Sequence, residues 1–174
     1  MTETPAEAIA GIRVHAPARG NRRLEKLLAA VDADVQVKGW WHAAGVNAAR
    51  LHMNDHSWVH IQIVLNIALR LARLLFRAGV TPSIVEDHGM KQRDAEVVIA
   101  AAALLHCVGM SVHRTDHETY SLFLCADSVE VPLTQVGNRY GISITLMPLA
   151  FASRICSSSA CSFHNPGLRG SSGA

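Results

Sequence analysis

This sequence is poor in charge, poor in aromatics and lacks any paired-cysteine motif. Only 17% of its 174 residues are charged and 49% are hydrophobic, which excludes a disordered chain and leaves material for one buried core. A net charge of +2 is too small to mark a nucleic-acid or anionic-membrane binder, so neither partner is expected. The cysteines at 107, 125, 156 and 161 form no CxxC and no zinc-ribbon spacing. The N-terminus carries Glu3 and Glu7 and no apolar signal core, which points to a reduced, cytoplasmic chain. The apolar run over 59–76 contains Arg70 and Arg73, and 97–105 is too short to cross a bilayer, so no membrane span is expected. What the sequence has in excess is histidine: ten, against three tryptophans and two tyrosines.

The pattern along the chain is helical. Residues 1–20 hold Pro5, Gly11, Pro17 and Gly20 and read as a loose leader. From Asn21 the residues Leu24, Leu27, Leu28 and Val31 recur at spacings of three and four, one face of a helix. A second helix is expected over 35–52, with Asp32-Ala33-Asp34 supplying its N-terminal cap. After the capping cluster Asn54-Asp55-His56-Ser57, a helix over 59–76 is apolar nearly all round and reads as the central helix of a bundle. Thr81-Pro82-Ser83 opens a short helix with its proline in the first turn, and His88-Gly89 closes it. Another helix runs from about residue 92 to His106, and a last one begins near Ser121. The expected architecture is therefore all-α.

After Asp127 this logic stops. Residues 128–174 carry four charged side chains against twenty-six in the first 127, with a serine run, no aspartate and no sustained period. An irregular tail is expected there, and a shift of reading frame near residue 127 would explain the simultaneous loss of charge and period. The domain plan is thus a leader over 1–20, a helical domain over 21–127 and the tail over 128–174.

The histidines gather at expected helix ends. His56 and His60 lie one turn apart on one face, His106 ends the second apolar helix, and His113 and His117 follow a glycine at once. A lone histidine at a helix end is usually a capped or core residue; four or five at converging ends favour a metal.

Leu104-Leu105-His106-Cys107-Val108-Gly109-Met110 resembles the His-Asp motif of the HD-domain metal-dependent phosphohydrolases, with Cys107 at the aspartate's place. His60, within His60-Ile61-Gln62-Ile63-Val64, resembles that family's first ligand, and His113 and His117 resemble the histidines that follow the pair in two-metal members. The lead-in Asn54-Asp55-His56 and the run Tyr120-Ser121-Leu122-Phe123-Leu124 add to the resemblance, which covers roughly residues 21–127. It implies an HD-type bundle with metal ligands His60, His106, Cys107, His113 and His117, and with His106 and Arg114 serving catalysis. It further implies a divalent ion (manganese, zinc, iron or magnesium) and a small phosphorylated substrate or ligand such as a nucleotide.

In such a site the ion makes water acidic enough to attack phosphorus, and a carboxylate can bridge two ions. Cys107 offers one softer sulfur instead, or is a small buried thiol that only packs. The family's last aspartate ligand has no match after Asp127. Three classes therefore follow: a phosphohydrolase, a module that binds a metal or phosphorylated ligand without cleaving it, and a truncated remnant.

Other residues have plainer readings. Arg70, Arg73 and Arg77 share a helical stripe and read as a solvated face. Arg114 beside His113 reads as the phosphate-binding cation. Trp40 and Trp41 read as packing residues, and Asp116 and Glu118 either orient the histidines or face water. An HD bundle lacking its last helix would expose an apolar stripe along 59–76, which favours self-association into a homo-oligomer.

Overall fold

A computed structural model describes residues 4–128. The expectations placed on the tail, including Cys156 and Cys161, lie outside the described residues. Every regular element among the described residues is helical and none is a strand. The helices are α1 (Pro5–Ala10), α2 (Arg22–Ala33), α3 (Val35–Arg50), α4 (Trp58–Arg77), α5 (Ser83–His88), α6 (Gln92–Leu105) and α7 (His117–Ser128). A short 3₁₀ helix, Val108–Ser111, joins α6 to α7.

Local chemistry accounts for the boundaries. Asn21 caps α2 by accepting from Leu24 N, and its amide donates to Arg93 O (2.8 Å) and Glu96 Oε2 (2.9 Å) on α6. Asp34 closes α2 and caps α3 through Gln36 N and Val37 N. Ser57 caps α4, and Asp55 in turn accepts from the Ser57 backbone N–H and hydroxyl. Gly89 ends α5 at φ +62, a left-handed conformation that costs glycine little. Pro82 stands at the N-cap of α5, one residue outside the expected first turn.

The core lies where α4, α6, α2 and α3 meet. It contains Leu24, Trp41, Ile61, Leu65, Leu69, Leu104 and Val108, all essentially without solvent. Trp41 does more than pack: its indole N–H donates to Leu104 O (2.9 Å) and ties α3 to the last turn of α6. Arg73 and Glu96 form a two-pronged ion pair (2.7 and 3.0 Å) between α4 and α6, and Arg23 pairs with Asp94 between α2 and α6.

Three expectations are corrected here. The leader is not loose: it carries α1, and Ile12 and Val14 (each 3% exposed) enter the main core while Gln62 and Asn66 bind the His15 carbonyl. The apolar side chains at 12 and 14 gain more by burial than proline and glycine lose locally. The arginine stripe is not one solvated face, because Arg73 turns to Glu96 while Arg70 and Arg77 stay exposed. The helix over 59–76 leaves an apolar stripe open, as expected of it. Only the stripe Ile61, Leu65, Leu69 and Ala72 is enclosed, since α4 has neighbours on one side. Finally, α4 and the run Gln92–Ser111 are each long and apolar enough to cross a membrane by length and composition, although the second run is mostly buried.

Candidate metal centre

The site forms where the start of α4 meets the end of α6. Ser57 and Asp55 fix the turn before α4, which places His56 just outside the helix and His60 in its first turn. Their rings stack with centroids 5.3 Å apart. Gly45 on α3 makes this approach possible, because a Cβ there would lie 2.8 Å from the Ser57 Cβ. On the other side α6 gives way to the 3₁₀ turn at His106-Cys107, and Asn47 holds that turn by donating to Met110 O (3.0 Å).

His60 Nε2 lies 3.2 Å from His106 Nε2 and 3.9 Å from Cys107 Sγ. Two groups of ligand atoms fall within 4.8 Å of one another: His60, His106 and Cys107, and His56, Cys107 and His117. Cys107 belongs to both. A tetrahedral zinc with nitrogen at about 2.0–2.1 Å and sulfur at about 2.3 Å separates its ligand atoms by about 3.4 Å (N to N) and about 3.6 Å (N to S). The two edges at His60, 3.2 Å to His106 and 3.9 Å to Cys107, match those values within a few tenths of an ångström. The donors therefore fit a divalent ion held by His60, His106 and Cys107, with His56 and His117 adjoining.

The histidines are oriented for this. Three of them engage Nδ1 with a backbone carbonyl: His106 with Ala103 O (2.8 Å), His56 with Asn54 O (2.8 Å) and His117 with Arg114 O (3.1 Å). An Nδ1–H donated this way leaves the Nε2 lone pair for a cation, the arrangement common around ligating imidazoles. At 3.2 Å, His60 in its Nε2–H tautomer donates to His106 Nε2, and with the proton on Nδ1 instead both Nε2 lone pairs are open to one cation.

Burial, chiefly, holds both His60 and His106 below the ordinary histidine value of 6.5, and the neighbouring histidines add to it. They are neutral, ligand-ready imidazoles at neutral pH. Burial, with the nearby Glu118 carboxylate, pushes the Cys107 thiol up to about 12. Its sulfur is thus a proton-bearing thiol until a cation displaces the proton. Asp55 sits below the ordinary carboxylate value: burial opposes this, but the bonds from Ser57 and the facing His60 and His56 outweigh it.

The histidine shifts set a pH window. An unfolded chain protonates these two rings near pH 6.5, whereas the folded site resists until the pH is lower. Below about 6.5 the unfolded state binds more protons, so stability is full above that value and declines as the pH falls through it. Thermal melts in chelator should show Tm dropping between about pH 7.5 and about pH 5.5, and the drop should shrink in His60→Gln/His106→Gln. A flat profile in the parent protein would contradict a buried neutral pair.

His60, His106, Cys107 and His117 are thus brought together. His113 belongs to neither group: it is exposed, its Nδ1 accepts from Thr115 N (3.1 Å), and its ring lies 6.2 Å from Tyr120. Arg114 is exposed at the rim and contributes its carbonyl to His117. Glu118 lies beside His117 Nδ1 (3.4 Å), while Asp116 is exposed at φ +58 in the turn that opens α7.

Three residues join the site that sequence reasoning left outside its ligand and catalytic sets. His56 is a donor, and its one-turn spacing from His60 was the available signal. Ser121, buried on α7, accepts from Gly109 N (2.9 Å) and bonds the carbonyls of His106 (2.9 Å) and His117 (2.8 Å). Gly109 lets α7 lie directly on the 3₁₀ turn, since a Cβ there would meet the His117 carbonyl and come within 2.5 Å of Ser121 N.

No family model matches the chain, and no solved structure matches it. The chain is similar to uncharacterized protein MJ1020 of Methanocaldococcus jannaschii, with 40% identity over 81 residues. That stretch is 47% of this chain and 31% of the relative, so the chain spans less than a third of the protein it resembles.

Proposed function

We propose that this chain is a cytoplasmic metal-binding domain of the HD phosphohydrolase type, acting on a small phosphoester such as a nucleotide. The observation that carries the reading is the 3.2 Å approach of His60 Nε2 to His106 Nε2 with Cys107 Sγ at 3.9 Å. Their order along the chain is the order that the resemblance to the HD motif implies for its ligands. A bound divalent ion supplies Lewis acidity there, lowering the pKa of water and drawing charge from a phosphoryl oxygen. The chain's own part is to hold the imidazoles of His106, His56 and His117 in place through the carbonyls of Ala103, Asn54 and Arg114, and to present the exposed Arg114 side chain to a phosphate. With imidazole and thiol donors and no carboxylate in either group, the set favours zinc over magnesium or manganese.

That same lack of a carboxylate favours a second reading, a module that binds metal or a phosphorylated ligand without cleaving it. One experiment addresses both. The purified full chain is assayed for metal by mass spectrometry, then loaded with zinc or manganese and offered bis-p-nitrophenyl phosphate and nucleotides. Expected is about one or two equivalents of metal per chain, lost in His60→Ala and His106→Ala while helical circular dichroism is retained. Turnover selects the enzyme; bound metal without turnover selects the binding module. A chain that stays metal-free after loading ends both readings.

A further inference from the structure

The face of α4 turned away from the core carries Val59, Ile63, Ile67, Leu71, Leu74 and Leu75, each between 42% (Val59) and 60% (Ile67) exposed. At 3.6 residues per turn, spacings of four, four, four and three draw the first five into one stripe along the helix, opposite the buried stripe Ile61, Leu65, Leu69 and Ala72. A water-facing helix normally places charge there. This stripe has none at its centre, and its exposed charges are Arg70 and Arg77 on one flank of the C-terminal half.

We infer that this stripe is the seat of a two-fold contact with a second copy of the chain. Three properties select a copy of itself as the occupant. The first is area. The six side chains leave on the order of 500–600 Å² in water, the upper end of what a monomer exposes in one patch. Two such faces pressed together remove on the order of 1,000 Å² before the arginine stems are counted, the threshold for a specific interface.

The second is register. The stripe is centred on Ile67, so a two-fold axis there sets Val59 of one copy against the Leu74 end of the other, and each ridge enters the other's groove. The third is charge. Antiparallel pairing opposes the two helix dipoles. Arg77, ten residues beyond the axis, then comes alongside position 57 of the partner helix, next to the exposed Asp55. A bilayer is a poorer occupant. The arginines at 70, 73 and 77 would enter it, and Arg73 would have to leave Glu96.

The test uses the full chain and sedimentation with multi-angle light scattering across micromolar concentrations. The parent should run at twice its 18.8 kDa chain mass. Ile67→Glu, placed at an already exposed helical position, should keep its helical circular dichroism and run as a monomer, with the dimer Kd raised at least about tenfold because two carboxylates meet at the axis. As an independent measurement, Ile67→Cys should cross-link between copies on mild oxidation, since a two-fold axis at that residue brings the pair within disulfide reach, and Leu51→Cys should not. A monomeric parent overturns the proposal, whether the stripe is covered by residues 129–174 or the protein partitions onto neutral phosphatidylcholine vesicles. A dimer that survives Ile67→Glu, or an Ile67→Cys chain that does not cross-link, overturns it equally.

Discussion

Gly109→Ala should unseat α7 and dismantle half of the metal centre. The added methyl would be aimed at backbone, the His117 carbonyl and Ser121 N, so no side-chain rotation can relieve the clash. Either α7 lifts from the 3₁₀ turn or the turn unwinds. Both break the bond from Gly109 N to Ser121 Oγ and strand a buried N–H. Overpacking of this kind costs about 3 kcal/mol, the upper end for an added methyl in a close-packed interior. His117 moves with α7, because its ring is fixed through Arg114 O and its own carbonyl through Ser121. Zinc affinity should fall about 10–100-fold, as when a support around a metal ligand is lost. Far-UV melting and zinc titration calorimetry check the two parts separately. A variant with parental Tm and parental zinc affinity would show that α7 does not need this close approach.

Cys107→Asp should change which metal the site prefers. The thiol is buried, lies 3.9 Å from His60 Nε2 and belongs to both ligand groups, so it is the one donor through which all four clustered histidines are related. A carboxylate there offers two hard oxygens and ionises far below a thiol that burial raises to about 12. Manganese and magnesium affinity should rise about 10–100-fold, the scale of gaining or losing one element of metal support. Zinc should change less, since it accepts sulfur and oxygen alike. If the site retains its catalytic geometry, hydrolysis of bis-p-nitrophenyl phosphate should appear or increase with manganese. Competition titrations of zinc against manganese give the measurement. Equal manganese affinity in parent and variant would mean Cys107 packs rather than ligates.

The candidate site was partly legible because helix ends are local events. Asn21, Asp34, Ser57 and Gly89 announce their boundaries through short-range chemistry, and the apolar periods of α2 and α6 follow from spacing alone. His60 and His106 could be placed at the ends of two apolar helices for the same reason. Whether His56 or His113 faces them could not. Each lies within about two helical turns of a ligand along the chain, His56 before His60 and His113 after His106, and their fates diverge on turn geometry. Asp55 and Ser57 aim His56 inward, whereas the turn through Thr115 and the left-handed Asp116 directs His117, and not His113, to the cluster.

By itself, then, the sequence determined a helical plan for the described residues, its main helix boundaries and the placing of His60 and His106 at helix ends. Burial was decided by the tertiary structure, because it depends on which neighbours exist and not on a residue's own hydrophobicity. Ile12 and Val14 entered the core from a segment whose proline and glycine suggested a loose leader. Arg73 left its expected solvated stripe because Glu96 on α6 stood within reach. On α4 the sequence is apolar nearly all round, and nothing in its period distinguishes the enclosed stripe through Leu65 from the open one through Ile67. The packing of α6 on one side alone makes that distinction, and with it the face left for a partner.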